Sequence, residues 1–270
     1  RAAVVPRAGR PNGLSPAVSE ISATLDILTR LIAFDTTSRN SNLELIAWVE
    51  DFLHQRGIAS RRVANADGTK ANLYASIGPD APGGVVLSGH TDVVPVDDQP
   101  WSSDPWLLSP RGGKLYGRGS SDMKAGVAGM LIAASSFSKK LNNTAGLVLV
   151  LTAAEENGCV GSRHLAALPK LMGKAGAIVV GEPTSNYPMV GHKGSIKFHA
   201  VFRGVSAHGS MPHLGDNAIY KAAKAIQKLE AFQFGVPEHP VMGLPTMNVG
   251  TVEGGSGVNL VPDLATTGTV

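Results

Sequence analysis

Two short runs of unbroken apolar residues, 84–88 and 147–152, constrain the fold of this chain more than any other feature. A strand with one face in water alternates apolar and polar residues. An unbroken run is a strand buried on both faces, which is the habit of a sheet covered by helices on each side. The segments around these runs supply the helices. Ile21, Leu25, Leu28 and Ile32 recur at helical spacing after Ser15-Pro16, a helix start with Ser15 as cap. Ser41-Asn42-Leu43-Glu44 has the form of a capping box. The helix it opens buries Leu45, Trp48, Val49 and Phe52 and stops near Gly57. Further strands are predicted at 72–77 and 177–180, and further helices at 122–140 and 162–168, with a loop at 95–113. Strands alternating with helices imply an α/β fold, a mostly parallel sheet with helices on both faces.

The pattern changes after Gly191. Ile196, Phe198, Ala200 and Phe202 alternate along a half-buried strand at 195–202, an amphipathic helix follows at 217–232, and strands follow at 246–253 and 265–270. This β-α-β-β order predicts a second, smaller α+β unit, ferredoxin-like but short of a last helix and strand. The expected organisation is a disordered tail or targeting remnant at 1–14, a first domain at 15–191, and an incomplete second domain at 192–270.

Composition narrows the class. The 24 Lys and Arg against 21 Asp and Glu leave a net charge of +3, too small and too dispersed for a nucleic-acid surface. The longest apolar stretches, such as 125–134, fall well short of the roughly 20 residues of a membrane span. The first nineteen residues contain Arg1, Arg7 and Arg10 but no apolar core of the kind a secretory signal needs. One cysteine, Cys159, excludes an internal disulfide framework and a cysteine-only zinc site, and favours a reducing cytoplasmic setting.

The chemistry-bearing residues follow the predicted strands, where open α/β sheets place their sites. His90 closes one apolar strand and Asp92 lies two residues on. A histidine there is ordinarily a hydrogen-bonded structural residue. It is also a metal ligand when a carboxylate on its other ring nitrogen fixes the tautomer. Asp122 precedes a helix, either as its cap or as a carboxylate free to bridge two cations. Glu155-Glu156 follows the 147–152 strand, either as a solvated pair or as a ligand beside a proton-transfer group. Glu182, followed by Pro183, is either a turn residue or a further ligand. Taken together, one imidazole and several carboxylates at successive strand ends fit a dinuclear hydrolytic zinc site. The sequence contains neither His-Glu-x-x-His nor Gly-x-Ser-x-Gly.

The chain resembles the family of dinuclear zinc amidohydrolases and exopeptidases that includes acetylornithine deacetylase, succinyl-diaminopimelate desuccinylase, aminoacylase and glutamate carboxypeptidase. The resemblance spans about 21–270. It is carried by Ser88-Gly89-His90-Thr91-Asp92-Val93-Val94-Pro95, by Gly117-Arg118-Gly119 with Asp122-Met123-Lys124, by Glu155-Glu156, and by Gly181-Glu182-Pro183-Thr184. The segments 34–38, 68–73 and 155–159 are most similar to the acetylornithine deacetylase branch, and Ser206-Ala207-His208-Gly209 occurs across the wider family.

The resemblance implies that His90 and Glu182 hold one metal, Asp122 bridges, and Glu156 holds the second. Asp92 orients His90, and Glu155 is the general base. It implies two Zn2+ per site, with Co2+ an alternative, and an N-acyl amino acid as substrate. It further implies a homodimer through the second domain, with His208 reaching the partner subunit's site to stabilise the oxyanion. Family members carry a further C-terminal stretch with one more histidine ligand, so a fragment or a shortened homologue is expected here. Two rivals remain at this point: a desuccinylase or dipeptidase of the same family, and a non-catalytic binding or dimerisation module.

Overall fold

The computed structural model describes residues 18–79, 81–142, 144–168 and 175–270. The expected tail at 1–14 and the Ser15 cap lie outside the described residues. The chain divides into two compact units, one ending at Asn186 and one running from Tyr187 to Val270.

The first unit contains, in order, α1 (Val18–Ile32), α2 (Leu43–His54), β1 (Arg61–Ala64), β2 (Ala71–Ile77), β3 (Val85–His90), β4 (Ser109–Arg111), β5 (Lys114–Tyr116), α3 (Lys124–Phe137), β6 (Leu147–Thr152), α4 (Val160–Ala166) and β7 (Ala177–Val180). Five strands form one sheet in the order β1-β2-β6-β3-β7. The expectation of a mostly parallel sheet needs correction. β6, β3 and β7 are parallel neighbours, but β1 with β2 and β2 with β6 are antiparallel. The connection from β2 to β3 spans only residues 78–84, too short for the crossover of a dozen or more residues that parallel strands require, so the chain reverses.

Strand β1 and the β4–β5 hairpin escape the sequence reading because they are short and lack apolar alternation. Gly112 and Gly113, with φ of 56° and 72°, turn that hairpin within the predicted loop, as a two-residue turn with both φ positive demands.

The core lies mainly on one face of this sheet. Leu31, Ile32, Leu45, Ile46, Val49, Leu53, Val127 and Leu131 pack there with Leu73, Leu149 and Leu151. Val63, Val86, Val150 and Leu165 form a smaller cluster. The unbroken apolar run of β6 thus serves two clusters, as its pattern predicts. β7 differs: Ile178, Val179 and Val180 are half exposed at the outer strand.

Three helix starts differ from expectation. Asn42 stands at the N-cap of α2 without a side-chain capping bond. Its amide instead pairs with both Ala71 backbone groups (2.8 and 2.9 Å) and donates to Thr91 Oγ1 (2.9 Å), tying α2 to β2 and to the end of β3. The capping box expected from Ser41 is not formed, because the helix starts at Leu43 and the Ser41 hydroxyl accepts from Leu43 N at 3.2 Å rather than from Glu44 N. α3 is preceded by Met123 at the cap position, which leaves the Asp122 carboxylate to other partners. α4 starts at Val160, earlier than predicted, after Cys159 in the left-handed region (φ 60°).

The second unit contains β8 (Phe198–Arg203), β9 (Ala207–His208), a 3-10 turn (Pro212–Leu214), α5 (Ala218–Glu230), β10 (Val249–Gly254), β11 (Leu260–Val261) and β12 (Leu264–Thr269). β12 lies between β10 and β8 and is antiparallel to both, which is the arrangement of a split β-α-β unit. Asn217 caps α5, accepting from Ile219 N (2.9 Å) and Tyr220 N (3.2 Å). Its core is small: Ala218, Ala222 and Ala265 with Phe202 packed against them. The first strand starts at Phe198, so Ile196 falls outside it and is 78% exposed.

Candidate metal centre

The parallel strands β6, β3 and β7 end together, so their carboxyl ends present the predicted residues at one edge of the sheet. His90 is the last residue of β3 and pairs in register with Thr152, the last of β6. Glu155 and Glu156 follow β6, and Glu182 follows β7. The approach of α3 to the end of β7 is close: a Cβ on Gly126 would lie 2.6 Å from Gly181 O, so only glycine fits. That contact sets Glu182 beside the start of α3, where Asp122 lies.

His90 is 2% exposed. Its Nε2 faces Asp122 Oδ1 at 3.0 Å and Glu182 Oε1 at 3.5 Å. Its Nδ1 lies 2.9 Å from the Asp92 carbonyl oxygen and 3.6 Å from Asp92 Oδ1. The expected orientation of His90 by Asp92 therefore runs mainly through the backbone carbonyl. The Asp92 carboxylate is turned toward three other donors: Ser38 Oγ (2.5 Å), Glu155 N (3.0 Å) and Glu156 N (3.3 Å).

Burial disfavours a charged imidazole, but the Asp92 side chain and the charges of Asp92 and Glu182 outweigh it and raise the His90 pKa to about 9. Burial and the neighbouring Asp122 charge push Glu156 up. Burial also pushes Glu182 up, against the pull of His90. Asp92 is held low, because the neighbouring His90 and the hydrogen bonds from Ser38 and the Glu155 amide overcome its desolvation. The centre thus gathers more negative charge than it neutralises, a condition that a divalent cation relieves.

Ligand atoms of His90, Asp122 and Glu182 lie within 4.8 Å of one another, and so do those of His90, Glu155 and Glu156. One imidazole with oxygen donors suits zinc and neighbouring divalent metals, so the residues present fit the expected group. The first set matches the expected ligands of one metal. In the second set Glu156 is grouped with Glu155 and His90, whereas Asp122 belongs to the first. His208 lies in the second unit, on β9. Its Nδ1 is 2.8 Å from Ser210 Oγ and accepts from Ser210 N at 3.2 Å.

Several buried polar residues around the centre carry no mark as site residues in the sequence. Asn72 accepts from Ala153 N (2.9 Å) and donates to Gly161 O (3.2 Å), bracketing the loop that holds both glutamates. Lys124 is 1% exposed and donates to Phe34 O at 2.8 Å; burial pulls its pKa down to about 7. Ser38, Asn72 and Lys124 all fall within segments quoted for the family resemblance, which is the one signal that could have found them.

The family model for peptidase family M20/M25/M40 matches residues 86–250. The chain is 35% identical over 205 residues to a probable succinyl-diaminopimelate desuccinylase of Staphylococcus epidermidis, covering 75% of this chain and 50% of that one. It is 34% identical over 258 residues to an acetylornithine deacetylase of Shigella sonnei, covering 93% and 66%. Its fold is similar to that of an M20 family metallo-carboxypeptidase from Sulfolobus solfataricus, with a TM-score of 0.68, 18% identity, and coverage of 91% and 70%. The chain spans half to two thirds of the length of these curated relatives. On the family match and these identities, the chain belongs to peptidase family M20/M25/M40.

Proposed function

We propose that this chain carries the metal-holding part of a metal-dependent amidohydrolase that cleaves the amide bond of an N-acyl amino acid, foremost N-acetylornithine to ornithine and acetate. The observation that carries the reading is the convergence of His90, Asp122, Glu155, Glu156 and Glu182 into two ligand sets that share one buried imidazole. His90, Asp122 and Glu182 hold one cation, and Glu156 a second; Zn2+ is the expected metal and Co2+ an alternative. Bound cations supply Lewis acidity at the amide carbonyl and lower the pKa of water.

Glu155 takes the proton of the attacking water and returns it to the leaving amine. Its backbone is pinned by Asp92 while its carboxylate, touched by Cys159 Sγ at 3.3 Å, remains partly open to solvent. Asp92 holds the His90 ring and both glutamate amides in register. The reading extends to a homodimer through residues 192–270, in which His208 donates to the developing oxyanion in the partner subunit's site. Among the described residues no helix is long and apolar enough to cross a membrane.

The identity to the desuccinylase of Staphylococcus epidermidis favours a second reading, cleavage of an N-succinyl group. Product analysis with N-acetylornithine and N-succinyl-diaminopimelate after loading with Zn2+ or Co2+ separates the two. Metal binding without turnover of either would leave a non-catalytic binding module.

A further inference from the structure

The turn at 34–38 supplies no residue to either ligand set, yet it joins two of the segments that do. Thr36 Oγ1 donates to Thr91 O at 2.6 Å, Val93 N donates to Thr36 O at 3.1 Å, and Ser38 N donates to Val93 O at 3.0 Å. The turn is therefore laid along the segment that carries His90 and Asp92. Its other side meets the glutamate loop, where Asn157 Nδ2 donates to Ser38 O at 3.2 Å.

Ser38 itself is 6% exposed, and its hydroxyl lies 2.5 Å from Asp92 Oδ2 and 3.3 Å from Val93 O. The single hydroxyl proton goes to the carboxylate, which is nearer and charged. Oδ1 of Asp92 takes Glu155 N and Oδ2 takes Glu156 N. One carboxylate thus links the turn to both glutamates, with the His90 ring beside it.

We propose that Ser38 is a positioning residue for the metal centre. By donating to Asp92 it fixes the orientation in which that carboxylate holds the Glu155 and Glu156 amides and faces His90. Without the hydroxyl, Oδ2 keeps only the longer bond from Glu156 N. The terminal torsion of an aspartate is broad and two-fold, so the carboxylate then turns and the glutamate loop loses its anchor. The inference rests on the metal-centre reading above. Partners one step removed from a metal ligand typically change affinity 10- to 100-fold; Asp92 is such a partner and Ser38 acts through it, so the expected effect sits at the lower end of that range.

The test uses Ser38→Ala, Ser38→Thr and Ser38→Cys with two readouts. In metal-free protein, NMR should show the Glu155 and Glu156 amides exchanging about tenfold faster in Ser38→Ala, the scale of one lost charge-assisted hydrogen bond, with Leu149 and Leu151 of β6 unchanged. Calorimetry with Co2+ should show binding weakened about tenfold in Ser38→Ala and restored in Ser38→Thr. A folded Ser38→Ala with wild-type exchange and affinity overturns the inference, as does equal loss of protection along β6. If Ser38→Ala does not fold, Ser38→Cys decides: intermediate exchange and affinity support the role, and wild-type values overturn it. Wild-type protein that takes up no Co2+, but whose glutamate amides still respond to Ser38→Ala, would refute the metal reading and leave the positioning intact.

Discussion

Metal uptake by this centre should compete with a proton on His90, and the competition has a calculable size. The pKa of the ring stands near 9 in metal-free protein, because the Asp92 side chain and the charges of Asp92 and Glu182 outweigh the burial that alone would lower it. At pH 7 the imidazole is therefore almost wholly protonated, and a protonated ring has no lone pair for a cation. Each cation that His90 binds below pH 9 must expel about one proton. The apparent association constant should then rise about tenfold per pH unit, or about 100-fold between pH 6 and 8, worth about 2.7 kcal/mol. Glu156 and Glu182, both pushed above the usual carboxylate range, steepen the slope on the acid side.

Calorimetric titration with Co2+ in buffers of different ionisation enthalpy measures both the slope and the number of protons released. Asp92→Asn removes one of the carboxylates that raise the pKa of the ring, so its curve should level off at lower pH. Uptake that is flat between pH 6 and 8, with no proton released, would refute His90 as a protonated ligand. The stability of metal-free protein should move the opposite way. His90 is raised above its unfolded value of about 6.5, so its contribution is full below that pH and lost as pH climbs through 9, a fall of about 3 kcal/mol.

How far the sequence prefigured this molecule depends on the range of the interaction concerned. Strand β6 was legible because an unbroken apolar run has few other uses, and α5 was legible because Asn217 caps it from within its own turn. The direction of β2 was also open to a sequence argument, since residues 78–84 cannot hold a crossover, but apolar patterning alone does not count connection lengths. Asn42 shows a different limit. The local pattern around it named Ser41 as the cap; the helix starts one residue later, at Leu43, and the Asn42 side chain goes to Ala71 and Thr91, 29 and 49 positions away. The ligand candidates stood out because each follows an apolar run or opens a small-residue helix. Ser38, Asn72 and Asn157 did not. Their partners lie 54, 81 and 119 positions away, and nothing in an Asn or Ser announces a contact of that range.

Three further outcomes are expected. Glu155→Gln should lower kcat at least about 100-fold on the hydrolysed substrate while metal content by elemental analysis stays at the wild-type level; full activity would shift the base to Glu156. Asn72→Ala strands Ala153 N and Gly161 O, both buried bonds, and should cost about 1–3 kcal/mol in urea unfolding, with no change if water replaces the amide. The last concerns His208. Ser210 N donates to its Nδ1, so that nitrogen carries the lone pair and the proton of the neutral ring is on Nε2. A donor on Nε2 is what an oxyanion requires, and its loss in His208→Ala should cost about 2.7–4 kcal/mol in kcat with little change in KM. Nitrogen NMR of the ring reads the tautomer directly, and a proton found on Nδ1 would remove the basis for the role. The cross-subunit form has its own assay: mixing inactive His208→Ala with inactive Glu155→Gln chains should restore activity, because one site of each mixed dimer then holds both groups. If exchange of subunits is demonstrated and no activity returns, His208 does not serve a partner's site.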